Sequence, residues 1–196
     1  MKKIGITGGI ATGKTTFLNI IKSLDFPVFS SDEIVRELYK EPEIKAQLLK
    51  IFGQEILNSD GGINKNKILK KILENLELKT KLEMLFHPIV KKKLLEFFKD
   101  AEKNQYKIAF AEVPLLFEAG WQSIFDEIWV ITCSKETQIK RIKEKGNYAD
   151  LFFQLSEKQI PLEEKEKKAH RIFSSEKLPD ELKKELKILL KEYLKG

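Results

Sequence analysis

Three features of the chain predict an α/β fold of three layers, a parallel five-stranded sheet with helices on both faces. Apolar, β-rich runs recur at 3–7, 28–30, 108–112, 128–132 and, more weakly, 171–174, and each but the last is followed by a helical pattern. Residues 8–15 read Gly8-Gly9-Ile10-Ala11-Thr12-Gly13-Lys14-Thr15, a full match to the phosphate-binding loop G-x-x-x-x-G-K-[ST]. A long helical stretch separates the second run from the third, too long for a single crossover.

Taken in order, Lys3-Ile4-Gly5-Ile6-Thr7 suits a buried parallel strand. In the loop that follows, Gly8 and Gly13 let the backbone approach a ligand closely. Its N–H groups and the next helix N-terminus converge on a β-phosphate. Lys14 reaches the β- and γ-phosphates, and the Thr15 hydroxyl completes a Mg²⁺ shell. The following helix has apolar residues at 17, 18, 20, 21 and 24, a period of 3.6. Strand, glycine-rich turn and helix place the chain among the P-loop NTPase folds.

The second strand ends at Ser30-Ser31-Asp32. Residues 32–105 form a helical insertion, with breaks at Pro42, Gly53 and Asp60-Gly61-Gly62. It grows from the carboxyl edge of the sheet, where open α/β sheets bind ligands, so it should wall the site and hold a second substrate. Residues 1–31 and 106–196 are left as the nucleotide-binding core. The third strand ends at Glu112, placed like an acid that orients Mg²⁺ through water, and Pro114 terminates it. After the fourth strand a helix carries Arg141, with Lys145 four residues on; the two could present cations to one nucleotide. Residues 142–160 look like a mobile lid formed by a helix pair, or else an ordinary crossover helix. The last helix, 178–194, should pack on the sheet.

Composition narrows the class. With 196 residues, 42% hydrophobic and 34% charged, one core with insertions is expected. No apolar run approaches the roughly 20 residues of a membrane span, and no secretory leader is evident. The single Cys133 allows no internal disulfide and reads as a small packed residue, so a cytoplasmic protein is expected. The net charge is +6, but Lys and Glu interleave, as in Leu162-Glu163-Glu164-Lys165-Glu166-Lys167-Lys168, which reads as a solvated helix face and not a nucleic-acid stripe. Of 36 Lys plus Arg only Arg36, Arg141 and Arg171 are Arg, which makes each a candidate for bidentate recognition.

A phosphate loop alone names no activity. The guanine-recognition string of GTPases is missing: Asn64-Lys65-Asn66-Lys67 ends in Lys and lies in the insertion. A mechanical ATPase would need a larger chain, so a small-molecule kinase fits best. Asp32, at the carboxyl end of the second strand, can take the proton of an acceptor hydroxyl; a helix N-cap is its alternative role. Arg36 lies four residues on, on the same face of a helix starting at Asp32, and can clamp an acceptor phosphate.

Several segments resemble the dephospho-coenzyme A kinase family. They are Gly5-Ile6-Thr7-Gly8-Gly9-Ile10-Ala11-Thr12-Gly13-Lys14-Thr15-Thr16, Ser31-Asp32-Glu33-Ile34-Val35-Arg36, His87-Pro88, Val113-Pro114-Leu115-Leu116-Phe117-Glu118, Ser134-Lys135-Glu136-Thr137-Gln138 and Gln159-Ile160-Pro161-Leu162-Glu163-Glu164-Lys165. They run in family order over nearly the whole chain. The resemblance implies a nucleoside-monophosphate-kinase-like fold and ATP-dependent phosphorylation of the ribose 3′-hydroxyl of dephospho-CoA. It places Asp32 on the family's catalytic aspartate, Ala11 to Thr16 on its ATP loop and His87 on a His-Pro pair of its acceptor domain. Together with the residue reading above, the expected catalytic residues are Asp32 and Lys14, and ATP is expected at Gly8, Gly9, Ala11, Thr12, Gly13, Lys14, Thr15, Thr16, Arg141 and Lys145. Mg²⁺ is expected at Thr15 and Glu112, and the acceptor at Thr7, Asp32, Arg36, His87, Pro114 and Leu115. The partners implied are these small molecules, with neither nucleic acid nor membrane, on a monomer or weak homo-oligomer. The chain departs from the family pattern at Ser30, where an acid is usual, at Lys145, where related kinases carry a lid arginine, and at Ala169-His170-Arg171-Ile172-Phe173-Ser174-Ser175. A kinase of another nucleotide-like or small hydroxylated acceptor is the alternative, and a non-catalytic nucleotide switch a further one.

Overall fold

The computed structural model of the chain describes residues 1–195. Its sheet comprises β1 (Lys2–Gly8), β2 (Val28–Ser30), β3 (Ile108–Glu112), β4 (Glu127–Thr132) and β5 (Arg171–Ser174), in the order β2-β3-β1-β4-β5. Every neighbouring pair is parallel, so all five carboxyl ends share one edge and the loops leaving them converge there. The strands match the apolar runs to within one residue at each end.

Side-chain alternation splits the core in two. Ile4, Ile6, Phe110, Trp129, Ile131 and Phe173 pack beneath α1 (Lys14–Lys22) and α9 (Pro179–Lys195), which contribute Phe17, Ile21, Leu182, Leu186 and Leu190. Trp129 is fully buried, its ring centroid 5.4 Å from Phe110 and 5.0 Å from Phe173. Ala109, Ala111, Ile128 and Val130 point the other way, into a cluster with Leu38, Leu48, Phe86, Leu94 and Phe98.

That second cluster roots the helices lying between β2 and β3: α2 (Ser31–Leu38), α3 (Pro42–Phe52), α4 (Lys65–Glu74) and α5 (Leu76–Lys103). Pro42 opens α3, where a missing N–H leaves nothing unpaired. Gly53 caps its end, and a turn over 58–64 carries Gly61 and Gly62. Pro88, by contrast, does not break α5. Buried Phe86 precedes it and buried Val90, Leu94 and Phe98 follow. At about 2 kcal/mol each, they outweigh the roughly 3 kcal/mol that an interior proline costs.

The helix after β4 is α6 (Lys135–Lys143); it is followed by a 3₁₀ turn (Gly146–Tyr148), α7 (Ala149–Glu157) and α8 (Leu162–Lys167). Residues 142–160 thus hold one α-helix and a tight turn, where a helix pair was expected. The reason is that α6 runs on to Lys143 and Gly146, at φ 62, reverses the chain at once. α7 then packs against both α6 and α4, and its Phe152 and Leu155 line the space above the sheet edge.

Candidate active site

The loop from β1 to α1 has two residues in left-handed conformations, Ala11 at φ 61 and Gly13 at φ 94. For alanine this costs about 1–2 kcal/mol, a strain that belongs at a binding loop whose amides must turn inward. A Cβ on Gly13 would meet Ser175 Cβ at 2.7 Å, and one on Gly8 would meet the Ile131 carbonyl oxygen at 2.4 Å. Neither place admits a side chain. The buried Thr12 Oγ1 donates to the Gly9 carbonyl at 3.0 Å, so its side chain braces the loop and lies outside the cavity lining. The Lys14 ammonium donates to the same carbonyl at 2.7 Å. Burial pushes the Lys14 pKa down, and the carboxylates of Glu112 and Asp32 oppose the shift. Thr15 and Thr16 open α1 with exposed side chains.

Ala11, Gly13, Lys14, Thr15 and Thr16 floor a cavity of about 1200 Å³. That exceeds the ~300–1,000 Å³ of a pocket for one small ligand, so there is room for two substrates. Facing the loop, Glu112 at the end of β3 is buried and accepts from Ser30 Oγ at 2.8 Å. Burial, with the Asp32 charge next, pushes the Glu112 pKa up, while Lys14 pulls it back. Ser30 Oγ also accepts from the Glu33 N–H and is the N-cap of α2. The helix therefore starts one residue earlier than expected, and Ser30 takes the capping role that was Asp32's alternative. Asp32 stands in the first turn with Arg36 one turn on, and both line the cavity. Pro114 and Leu115 line it as well.

Two expected acceptor contacts lie elsewhere. Thr7 is fully buried and its Oγ1 donates to the Pro114 carbonyl at 3.0 Å, so it holds the loop after β3 and lies outside the cavity lining. His87 lies outside the cavity lining, edge-on to Trp121 at 5.5 Å, and burial lowers its pKa. Its position in mid-α5 turns it toward that packing. Gly8 and Gly9 likewise lie outside the lining, closed off by Ile131 and Gln138.

Beside the phosphate loop, Arg141 Nη1 donates to Ser175 Oγ at 2.8 Å and to the Ala11 carbonyl at 3.3 Å, and Nη2 to the Ser175 carbonyl at 3.1 Å. Arg141 thus ties α6 to the phosphate loop and to the segment after β5. Ser175, Lys177 and Pro179 of that segment reach the cavity although its sequence departs from the family pattern, and Lys145 joins them. Arg171 does not take part: its Nε donates to Tyr193 Oη at 3.0 Å, away from the cavity.

Lys165 was hidden in an apparently solvated run. It is fully buried; its ammonium donates to the Pro114 carbonyl at 3.1 Å and pairs with Glu118 Oε1 at 2.8 Å. The Ile160 N–H donates to the same Glu118 oxygen at 3.1 Å. Charge patterning has no means of singling out this lysine, and the available signal was that Glu118 and Lys165 each end a segment carrying the family resemblance.

The comparisons agree with this geometry. The family model for dephospho-CoA kinase matches residues 2–180. A dephospho-CoA kinase from Bdellovibrio bacteriovorus is 32% identical over 97% of this chain and 96% of its own. Among solved structures, a Thermus thermophilus protein superposes with a TM-score of 0.79 at 25% identity, covering 97% of both chains. A dephospho-CoA kinase from Campylobacter jejuni does so with 0.62 at 28% identity, covering 100% of this chain and 98% of that one. Phosphate loop, sheet order and sequence together lead to one conclusion: the chain belongs to the dephospho-CoA kinase family.

Proposed function

We propose that this ATP-dependent kinase transfers the γ-phosphoryl group of ATP to the ribose 3′-hydroxyl of dephospho-CoA, giving ADP and CoA. The observation that carries the reading is that one cavity has the phosphate loop at its floor and the Asp32–Arg36 face on its wall. The loop amides and Lys14 grip the β- and γ-phosphates. Asp32 accepts the hydroxyl proton as the 3′-oxygen attacks the γ-phosphorus; the new O–P bond forms as the bond to the β-phosphate oxygen breaks. Arg36 orients the acceptor through its phosphate, and Pro114 and Leu115 wall it. Arg141 and Lys145 face the donor.

Mg²⁺ fits the residues present. It keeps most of its waters and takes only one or two protein oxygens beside the phosphates; Thr15 offers an exposed hydroxyl and Glu112 a carboxylate on the same cavity wall. Bound there, it would neutralise charge between the β- and γ-phosphates. In this reading 1–31 and 106–196 form the core, 32–105 takes the acceptor, and 142–160 acts as a lid. The charge pattern and single cysteine support a cytoplasmic enzyme acting on small molecules, with neither nucleic acid nor membrane as partner. Among the described residues no helix is long and apolar enough to cross a membrane.

A coupled ADP-release assay over dephospho-CoA, nucleoside monophosphates and a no-acceptor control tests the reaction. Release confined to dephospho-CoA is expected. Equal release without acceptor, or a preference for a nucleoside monophosphate, overturns it.

A further inference from the structure

Lys65 opens α4 with its ammonium 4.7 Å from the centroid of the Tyr39 ring, and it shares the cavity wall with Arg36. Burial first, and the Arg36 guanidinium second, push the Lys65 pKa down, so the two cations feel each other. Nearby carboxylates are engaged elsewhere. Glu33 pairs with Lys22 at 3.3 Å, Glu37 with Lys40 at 2.8 Å and Glu83 with Lys79 at 3.6 Å. Among the described residues, no carboxylate oxygen lies within the 4.0 Å salt-bridge distance of Arg36 or Lys65. The Asp32 carboxylate acts on Lys65 from the same wall, and Glu37 more weakly, with the Lys40 cation opposing both; in the reaction proposed above Asp32 is taken up by the acceptor hydroxyl. Two adjacent cations left without a partner on a cavity wall attract an anion of matching charge.

The spacing says which anion. Four residues of helix advance about 6 Å, so the backbone positions of Asp32 and Arg36 are separated by a span comparable to that between a nucleotide's 3′-oxygen and its 5′-phosphate. A ribose with its 3′-hydroxyl at Asp32 brings its 5′-phosphate to Arg36. Lys65 supplies a second cation for a second phosphate. Beyond it Leu69, Ile72, Leu82 and Phe86 form an apolar wall suited to an uncharged tail. We propose that Arg36 and Lys65 form a diphosphate clamp, with Lys65 as the residue that distinguishes a 5′-diphosphate acceptor from a nucleoside. The clamp rests on the reaction proposed above.

The test is steady-state kinetics at saturating ATP for wild type, Lys65→Ala and Lys65→Arg, with dephospho-CoA as acceptor. It includes the inhibition constant of adenosine, which lacks the phosphates, competing with dephospho-CoA. Lys65→Ala is expected to raise the KM for dephospho-CoA about tenfold, the loss of one charge-assisted contact. Its kcat and the adenosine inhibition constant should stay within about twofold of wild type, as for loss of uniform binding. Lys65→Arg should restore most of the affinity. An unchanged KM overturns the clamp. Equal losses for adenosine and dephospho-CoA also overturn it, because they assign Lys65 to the nucleoside or to the fold. Wild-type turnover with an indifferent Lys65→Ala refutes the clamp alone; no wild-type turnover of dephospho-CoA refutes the reaction and the clamp together.

Discussion

Replacing Lys165 by Met removes a buried ammonium that ties α8 to the loop after β3. Its carbonyl partner is not orphaned, because Thr7 Oγ1 still donates to Pro114. Nor is Glu118 wholly stranded, since it keeps the Ile160 N–H. The loss is therefore one charged hydrogen bond, about 1.5–3 kcal/mol, and one to a carbonyl, about 1 kcal/mol. It is partly offset by relief from burying a charge, and Met matches the aliphatic stem. A net cost of about 2–3 kcal/mol results, below the roughly 3–5 kcal/mol of breaking a fully buried pair. For a chain of this size it lowers Tm by about 4–12 °C. Glu118→Gln leaves the ammonium buried without its carboxylate and should cost more. The double variant should cost less than the sum of the two, with a coupling of about 1–3 kcal/mol. Urea denaturation of the four proteins measures the cycle. Since Pro114 and Leu115 wall the cavity, Lys165→Met should also raise the acceptor KM while that for ATP holds. Additive costs, or a Lys165→Met cost under about 0.5 kcal/mol, the range of an ordinary surface change, would show that the lysine is a bystander.

Asp32→Asn should lower turnover by about 10²–10⁴-fold, the usual worth of a positioned base, with ATP binding by calorimetry unchanged; near-wild-type turnover sinks its role. Gly13→Ala forces a Cβ to 2.7 Å from that of Ser175 at a φ of 94; ATP affinity should fall about tenfold or more, with a lower Tm, and a wild-type affinity refutes the fit. Burial pushes the Glu127 pKa up, but hydrogen bonds from Lys2, Tyr193 and Trp129 outweigh it and hold it at about 2 against an ordinary 4.5. Because the folded-state value is the lower one, the carboxylate contributes stability above pH 4.5 and loses it as pH falls toward 2. Discounted for its partial exposure, the contribution is about 1–2 kcal/mol. Urea melts from pH 7 to 3 should find Glu127→Gln less stable at the top of the range, with its gap to wild type narrowing below pH 4.5. A gap independent of pH contradicts the assignment.

The five strands, the phosphate loop, the helical stretch after Ser31 and the Asp32–Arg36 face were all legible in the sequence, because each depends on neighbours within one or two turns of chain. Alternation and helical period are local properties, and a loop motif carries its own backbone demands. What the sequence could not show is which partner a polar group finds across the fold. Ser30 meets Glu112 over 82 positions, Thr7 meets Pro114 over 107, and Lys165 meets Pro114 over 51. Those distances turned an expected substrate contact into a brace and a surface lysine into a buried one. They also placed His87 against Trp121, outside the cavity. The local pattern settled the phosphate-loop conformation and the layer architecture. Only the packing of α2, α4 and α8 around the sheet edge decided which charges face the cavity and which are consumed in holding its walls, since burial and pairing depend on segments that meet only once the chain is folded.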